Sequence, residues 1–312
     1  MSNIRAAVIG VGKLGFHHAR IYAGMKGVDL VGVVDSDDKK GKQTAIKFNT
    51  NYYADYRDLI GKVDAVNIVV PTLLHYEAAS FFLKNKIHCL VEKPITTDLK
   101  EAQELADIAG ANGVVLQVGH IERFNPAVLE AQKYIKAPKF IEVNRLGPYD
   151  PRVSQVGVVL DLMIHDLDIL LFLTGSKVKS IDAVGTKLFS NFEDIANVRL
   201  KFENNCVANV SASRVSIKKT RKIRIFQDDS YISLNYQKQT LVIYKKKKEK
   251  VDSFKDIQML KPRIKKNEPL LLEIEDFIRC VKGQIAPVVS GIHAMNALEL
   301  ALEIGKEIES NY

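Results

Sequence analysis

Three polar residues, Asp161, His165 and Asp168, interrupt an apolar stretch, VVLDLMIHDLDILLFL, at residues 158–173. In a helix they would lie at about 0°, 40° and −20° around the axis, on one face. A histidine beside a carboxylate can carry out general acid–base chemistry, with the carboxylate orienting the imidazole. The same residues could instead form a buried polar network that pins the helix to its neighbours. Three polar groups on one face favour a catalytic role, with Asp168 and the oppositely placed Asp166 more structural.

A glycine-rich run, GVGKLG at residues 10–15, has the GxGxxG spacing. It follows the strand-like RAAVIG and opens a helical pattern. Asp35, 20 residues after Gly15, ends the next strand. Such glycines let the backbone approach a pyrophosphate at a helix N-terminus, and the acid accepts hydrogen bonds from a ribose. Because Ser36, Asp37 and Asp38 offer no arginine for a 2′-phosphate, we predict NAD rather than NADP. The predicted cofactor residues here are Gly10, Gly12, Lys13, Leu14, Gly15 and Asp35.

Two more strand ends carry polar residues, in PTLLH after DAVNIVV and in VEKP after HCL. Ligands of open parallel sheets bind at the carboxyl ends of the strands. Lys93 could hold its ammonium near a developing alkoxide, or be an ordinary surface lysine. His75 could contact the cofactor or cap a helix. The predicted cofactor contacts from these two ends are Pro71, Thr72, His75, Glu92 and Lys93.

The elements that must position these residues change in character along the chain. Over residues 1–122, short apolar runs alternate with helical patterns, which predicts a Rossmann domain with a doubly wound parallel sheet. Over residues 123–312, successive strand-like runs without intervening helices predict an α/β domain with a large open mixed or antiparallel sheet. Helical patterns near 126–136, 158–173, 269–282 and 292–309 accompany that sheet. The fold class is therefore α/β with two domains.

The charge of the chain is uneven. Its net charge is +8, and residues 123–312 hold all the excess, with 31 Lys/Arg against 23 Asp/Glu. The excess suits an anionic small molecule or solubility. The basic run at Lys245–Lys250 lacks interleaved aromatic residues, which favours a solvated loop and predicts no nucleic-acid partner. No apolar run approaches the ~20 residues that span a bilayer, so we expect no membrane partner.

The cysteines indicate a reducing compartment. Cys89, Cys206 and Cys280 are far apart and show no CxxC spacing. The first residues, MSNIRAAVIG, enter a strand pattern without the apolar stretch of a signal peptide, so a cytoplasmic location is expected. The Asp/His set lacks a pattern for a third and fourth ligand, so no metal is predicted.

GVGKLG, the P-T-x-x-H turn, VEKP and the D-x-x-x-H helix occur in this order in the Gfo/Idh/MocA oxidoreductases, which this chain resembles over essentially its full length. The resemblance implies a Rossmann domain followed by an α/β domain whose open sheet has one face for substrate and commonly another for oligomer contacts. It therefore implies a homo-oligomer, a dimer or a tetramer. It also implies NAD-dependent hydride transfer at a carbon of a sugar or polyol.

Two stretches, QVGHIERFNPAV at 117–128 and VVLDLMIHDLDI at 158–169, are similar to a narrower group, the UDP-N-acetylglucosamine 3-dehydrogenases of lipid A biosynthesis. That similarity implies oxidation at C3 to a 3-keto sugar, which a pathway aminotransferase would then consume. Dehydrogenases of other nucleotide sugars, free sugars or inositol share most of these motifs. An NAD-retaining glycosidase of the same family is another alternative, and a non-catalytic regulator is disfavoured by the intact Lys93, Asp161 and His165.

The resemblance also implies roles for individual residues. Lys93 matches the lysine of the EKP motif, and Asp161 and His165 match the D-x-x-x-H pair. His165 would be the general base, Asp161 would orient the substrate or the imidazole, and Lys93 would stabilise the alkoxide or act as the base itself. Asn125 could contact substrate or cap a helix that begins with a proline. The predicted substrate-binding residues are Lys93, Arg123, Asn125, Tyr149, Arg152, Asp161 and His165, with Tyr149 and Arg152 placed to reach a diphosphate.

Overall fold

The computed structural model describes residues 2–149 and 156–311. The chain forms two compact units, the first made of residues 1–120 and 270–296 and the second of residues 121–269 and 297–312. The predicted boundary at residue 122 lies two residues beyond the first change of unit. Residues 270–296, near the end of the chain, belong to the first unit again. No local signal in the sequence predicts this, because it depends on which surface the last two helices cover.

The first unit contains a six-stranded parallel sheet with the order β3-β2-β1-β4-β5-β6. The order reverses beside β1, which is the switch point at which doubly wound sheets bind their ligands. The predicted Rossmann fold is therefore confirmed. The strands are β1 (Ile4–Ile9), β2 (Val28–Val34), β3 (Asn51–Tyr53), β4 (Ala65–Ile68), β5 (His88–Glu92) and β6 (Leu116–Gly119). The helices between them are α1 (Lys13–Gly24), α2 (Asp38–Phe48), α3 (His75–Lys84) and α4 (Leu99–Asn112).

Local sequence explains where these elements begin and end. The apolar run of β1 is buried, with Ala6, Ala7 and Val8 fully inaccessible, as expected for a strand covered on both faces. The Asp98 side chain caps α4 by accepting hydrogen bonds from the backbone N–H groups of Lys100 and Glu101. That capping satisfies donors that a helix start otherwise leaves unpaired.

The second unit contains an eight-stranded mixed sheet with the order β14-β13-β12-β11-β7-β10-β9-β8. Neighbouring strands are antiparallel except for the parallel pair β7 and β10, which confirms the predicted open mixed sheet. The strands are β7 (Phe140–Leu146), β8 (Val178–Thr186), β9 (Ile195–Phe202), β10 (Val207–Ser213), β11 (Thr220–Phe226), β12 (Ser230–Asn235), β13 (Thr240–Lys246) and β14 (Ile257–Leu260).

One face of this sheet forms the core of the second unit. Alternate residues of its strands, such as Ile141, Ile223 and Ile232, are buried together with Leu167 and Leu170. The helices of the second unit are α5 (Pro126–Ala131) and α6 (Ile164–Thr174), and a π-helical turn at Val159–Met163 precedes α6. Nearly all of α7 (Pro269–Val281) belongs to the first unit, whereas α8 (Gly291–Ser310) begins in the first unit and continues in the second. In α6 the residues are apolar nearly all round, which is why this helix is largely buried.

The basic run Lys245–Lys250 lies at the end of β13 and in the following loop, beside acidic residues. Lys248 pairs with Asp252 at 3.0 Å and with Asp256 at 3.1 Å, and Lys245 lies 3.7 Å from Asp229. These carboxylates offset much of the positive charge of the run. Within residues 2–149 and 156–311, no helix is both long and apolar enough to cross a membrane.

Candidate functional site

The glycine run forms a tight turn from β1 into α1 that excludes side chains. Gly10 has φ +86°, and a Cβ there would lie 2.6 Å from the carbonyl oxygen of Val69. A Cβ on Gly15 would lie 1.8 Å from the Gly10 carbonyl oxygen. A Cβ on Gly12, by contrast, would meet nothing within 4 Å, so open space lies before the N-terminus of α1. That space, with backbone N–H groups and the helix dipole beside it, suits a pyrophosphate.

Asp35 connects the end of β2 to this turn. Its carboxylate accepts hydrogen bonds from the backbone N–H groups of Val11 and Asp37, both at 2.8 Å. These bonds fix the carboxylate and leave further lone pairs on both oxygens. Asp35 can therefore accept hydrogen bonds from a ribose without moving.

A cavity of about 690 Å³ lies in the first unit beside the turn. Of the predicted cofactor residues, Gly10, Gly12, Asp35 and Pro71 line it. Lys13 and Leu14 are the exposed first residues of α1, and Thr72 begins a 3₁₀ turn after Pro71. The sequence reasoning missed other lining residues, including Ser36, Asp55, Tyr56, Arg57, Leu74 and Glu77.

NAD is predicted over NADP because residues 36–38 supply no arginine for a 2′-phosphate. Arg57 corrects part of that reasoning, because its guanidinium group lines the cavity. Arg57 pairs with Glu77 at 2.9 Å and with Asp55 at 3.3 Å. Among the described residues that line the cavity, the three carboxylates of Asp35, Asp55 and Glu77 accompany one cation, Arg57. The cavity therefore still favours ribose hydroxyl groups over a 2′-phosphate. No local pattern marks Arg57, which lies in a short 3₁₀ turn.

His75 joins two of the predicted strand ends. Its side chain is 1% exposed, and its ring nitrogens lie 2.9 Å from the carbonyl oxygens of Val70 and of Pro94. Burial lowers the pKa of His75, although the two carbonyl groups oppose that effect. This placement makes His75 a residue that holds the ends of β4 and β5 in register at the cofactor edge.

Glu92 ends β5 in a polar network under the same edge. The Asn67 amide donates to Nδ1 of His18 at 2.8 Å, so the ring proton lies on Nε2, which donates to Glu92 at 3.2 Å. The backbone N–H of Lys93 contacts the other carboxylate oxygen at 3.3 Å. The network therefore fixes the backbone from which the half-buried Lys93 side chain extends.

Glu273 on α7 is a second carboxyl group near Glu92, and no motif in the sequence singles it out. It is fully buried, and neither side-chain oxygen hydrogen-bonds to any residue within the described part of the chain. Burial raises the pKa of Glu273 well above its usual range, and the charges of Glu92 and Asp276 raise it further. Burial without a hydrogen-bond partner therefore favours the protonated form of Glu273.

The polar helix of the second unit is not a regular α-helix. The Ile164 N–H bonds to the carbonyl oxygen of Val159, five residues earlier, so Asp161 lies in a π turn and His165 in the following α-helix. π turns often occur at functional sites because they re-aim side chains. Asp161 and His165 are half-buried, whereas Asp168 is buried. The predicted single polar face is thus divided between two helical geometries and two degrees of exposure.

Two buried ion pairs account for Asp168 and Asp166. Asp168 binds Arg123 through two hydrogen bonds of 2.7 Å, and the Arg123 guanidinium lies 4.1 Å from the centre of the Phe172 ring. Asp166 binds Arg145, which also contacts Glu122 at 3.2 Å. Because Arg123 is 3% exposed and its donors face Asp168, this placement does not support its predicted contact with substrate.

Asn125 is likewise placed as a structural residue. It is 2% exposed, and its side-chain oxygen caps α5 by accepting from the Ala127 N–H at 3.0 Å. Its amide nitrogen donates to Glu122 and to the Tyr236 carbonyl oxygen, both at 3.1 Å. The alternative helix-cap interpretation therefore describes Asn125, and these bonds use the polar groups that substrate would need.

Tyr149 is half-buried, and its hydroxyl group donates to the Phe189 carbonyl oxygen at 3.2 Å. Arg152 lies outside the described residues. Among the residues that the structure does describe, no group of three or more His, Cys, Asp or Glu side chains could hold a metal ion.

The glycine turn, the fixed Asp35 and the open space at Gly12 fit the pyrophosphate and ribose of a dinucleotide, and define a dinucleotide-binding protein. Comparison with known protein families extends this assignment of dinucleotide binding. Residues 4–120 match the oxidoreductase family with an NAD-binding Rossmann fold, and residues 141–233 match the GFO/IDH/MocA C-terminal domain. The chain belongs to the Gfo/Idh/MocA oxidoreductase family, and its cofactor is NAD.

Individual relatives agree with that assignment. The chain is 35% identical to the UDP-N-acetylglucosamine 3-dehydrogenase of Acidithiobacillus ferrooxidans, over 99% of both chains. A solved structure of that enzyme has a TM-score of 0.93 at 34% identity and covers 99% of both chains. The scyllo-inositol 2-dehydrogenase (NAD(+)) of Bacillus subtilis is 28% identical over 96% of this chain and 92% of its own length.

Proposed function

We propose that the protein oxidises the C3 hydroxyl group of UDP-N-acetylglucosamine to a ketone with NAD as the oxidant. The observation that carries the proposal is the 35% identity to an enzyme with that name over 99% of both chains. A match of this length includes the glycine turn of the first unit and the polar helix of the second.

The oxidation removes a proton from the hydroxyl oxygen and a hydride from the carbon, and the C–O single bond becomes a carbonyl. NAD, when bound, accepts the hydride. We assign the proton to His165 as the general base, oriented together with the substrate by Asp161. Lys93 stabilises the negative charge that develops on the oxygen, because its ammonium extends from the fixed end of β5.

Lys93 as the base itself is the alternative assignment of these roles. The two assignments differ in their pH profiles. With His165 as the base, kcat/KM should rise through an ionisation in the range of histidine, and the His165→Asn variant should lose that ionisation. With Lys93 as the base, the pH profile of kcat/KM for the His165→Asn variant should keep that ionisation.

A free polyol is the second candidate substrate, and it is favoured by the similarity to the inositol dehydrogenase of B. subtilis. Inositol offers the same secondary alcohol but carries no phosphate. The excess of 31 basic over 23 acidic residues in residues 123–312 supports the anionic nucleotide sugar instead.

The test is a panel of substrates with NADH fluorescence as the readout. UDP-N-acetylglucosamine, UDP-glucose, N-acetylglucosamine and the inositols are offered with NAD, and the keto product is trapped by an aminotransferase. We expect NADH to accumulate with UDP-N-acetylglucosamine and the trapped product to carry an amine at C3. NADH from an inositol alone would refute the nucleotide-sugar assignment, and sugar release without net NADH would indicate the NAD-retaining glycosidase.

We further propose that the protein is a homo-oligomer that contacts a second copy through the outer face of the eight-stranded sheet. Phe140, Phe226, Tyr231 and Tyr244 form a row across β7, β11, β12 and β13, with ring centres 4.9 to 5.8 Å apart. These half-buried rings lie on the face opposite the core. A two-fold axis brings the same patch of two copies together, so this row would face its own counterpart. Sedimentation of the Tyr231→Asp variant should show a smaller species than the unmodified protein.

We place the reaction in the cytoplasm, which the three free cysteines support. The expected partner in the pathway is an aminotransferase that consumes the 3-keto sugar.

A further inference from the structure

Arg221 is a charged residue on the core-facing side of the sheet that no motif of the sequence singled out. It is the second residue of β11, and Ile223 and Ile225, which follow at intervals of two, are buried in the core. Successive side chains of a strand alternate between faces, so Arg221 shares the face of these isoleucines. Its side chain nevertheless remains 33% exposed.

The Arg221 guanidinium lacks a full acidic partner among the described residues. The nearest carboxylate oxygen, Oε1 of Glu122, lies 3.9 Å away, beyond hydrogen-bonding distance. That oxygen already accepts two hydrogen bonds of 3.2 Å from Arg145. Within residues 2–149 and 156–311, the partly exposed Arg221 guanidinium therefore has an acidic neighbour but no hydrogen bond to it.

Partial burial also disfavours the charge of Arg221. Burial lowers the pKa of Arg221, and the neighbouring Arg145 lowers it further, while Glu122, Asp166 and Asp161 oppose these effects without cancelling them. An arginine is always charged at pH 7, so a partly exposed guanidinium without a hydrogen-bond acceptor can bind the oxygens of an anion. Arg221 lies opposite Arg145 on the neighbouring strand, and Arg145 binds Asp166 of α6, so Arg221 lies beside the helical segment that carries Asp161 and His165.

The chemistry of a guanidinium indicates which anion fits. Its planar set of N–H donors matches two oxygens of a phosphate, which a lysine cannot match in the same way. In a nucleotide sugar the phosphate on the anomeric carbon is separated from the C3 hydroxyl group by one sugar ring. An arginine near Asp161 could therefore hold the phosphate while the reacting hydroxyl lies at Asp161 and His165.

We propose that Arg221 binds the phosphate attached to the anomeric carbon of the substrate and thereby positions the reacting hydroxyl group. This inference rests on the proposed function, which supplies a substrate with a diphosphate. It makes Arg221 a residue that selects phosphorylated sugars against free sugars and polyols.

The experiment uses the full-length protein saturated with NAD and measures UDP binding by calorimetry. Arg221→Met should weaken UDP binding by about 10- to 100-fold, the usual effect of losing a charge-assisted pair of hydrogen bonds. Arg221→Lys should recover part of the loss because it keeps the charge but not the planar set of donors. Lys222→Met is the matched control, because Lys222 is exposed on the opposite face of the same strand, and it should bind UDP normally.

Kinetics separate phosphate binding from a structural role. KM for UDP-N-acetylglucosamine should rise with the loss of UDP affinity in Arg221→Met, with a smaller effect on kcat. The melting temperature should stay the same or rise, because the substitution also removes repulsion from Arg145. UDP affinity equal to that of the unmodified protein in Arg221→Met would overturn the inference, as would a fall in kcat without a change in KM.

The two proposals fail in different ways. If UDP-N-acetylglucosamine is oxidised but Arg221→Met leaves UDP affinity unchanged, the phosphate site is wrong and the proposed function stands. If no nucleotide sugar is oxidised but UDP binds and Arg221→Met weakens it, the anion site stands and the proposed substrate is wrong.

Discussion

Replacing Arg123 with Met should destabilise the second unit strongly, because Arg123 neutralises a buried carboxylate. The Arg123 and Asp168 side chains are 4% and 1% exposed, and two hydrogen bonds of 2.7 Å join them. Removal of one member of a buried pair leaves the other charge in an apolar interior, at a cost of about 3–5 kcal/mol. Each kcal/mol lowers the melting temperature of a domain of this size by about 2–4 °C. The expected decrease is therefore about 6–20 °C.

The assay is thermal unfolding at pH 7, followed by circular dichroism, on Arg123→Met, on Asp168→Leu and on the double variant. The double variant should recover most of the lost stability, since an apolar pair can replace a buried ion pair at little cost. Lys133→Met is the control for an exposed pair, because Lys133 is 67% exposed and contacts Glu130 at 2.6 Å. It should change stability by less than about 1 kcal/mol. If Arg123→Met melts like the unmodified protein and raises KM for the sugar, Arg123 binds substrate and the structural interpretation is refuted.

Four further predictions concern the two functional regions. His165→Asn should lower kcat by about 10²-fold or more while NADH titration shows unchanged cofactor affinity, and unchanged turnover would remove His165 from the mechanism. Gly12→Ala should weaken NAD binding without lowering the melting temperature, because the added Cβ meets only the open space. Gly15→Ala should instead lower the melting temperature, because its Cβ would lie 1.8 Å from the backbone carbonyl oxygen of Gly10. Asp35 should make NAD(H) bind more tightly than NADP(H) in a fluorescence titration, and the reverse order would contradict the charge argument. Glu273 has a pKa raised by burial, so it stabilises the fold in its protonated form below its usual pKa and loses that contribution as the pH rises toward the raised value. Between pH 5 and 9, the melting temperature of the unmodified protein should accordingly fall more than that of Glu273→Gln. If the melting temperatures of the two proteins change with pH in parallel, Glu273 is ionised in the folded protein.

Predictions that depend on neighbours in sequence agree with the structure. The glycine turn lies between β1 and α1, and Asp35 ends β2, because turn geometry and strand periodicity are written in adjacent residues. The helix cap at Asn125, offered as an alternative, follows from the proline at the next position. The same local patterns predict both sheets, although short strands such as β3 and β14 carry too few residues for a periodic signal.

The role of a charged residue is harder to predict because it depends on partners distant in sequence. Arg123 and Asp168 are 45 residues apart, and no local pattern predicts the buried ion pair that they form. Arg57 and Glu77 are 20 residues apart, and together they set the charge of the nucleotide cavity. The polar helix shows a further limit, because the π turn at Val159–Met163 interrupts the regular period assumed for Asp161 and His165.

The sequence by itself therefore determined the fold class, the dinucleotide turn and the family, since each depends on short patterns that local backbone physics produces. Only the tertiary structure decided which polar residues pair with one another and which stay partly exposed. It buries Asp168, Arg123 and Asn125 beside protein partners and leaves Asp161, His165 and Arg221 partly exposed. The physical reason is that the cost of burying a charge depends on the complete set of charges around it, and folding brings that set together from distant parts of the chain.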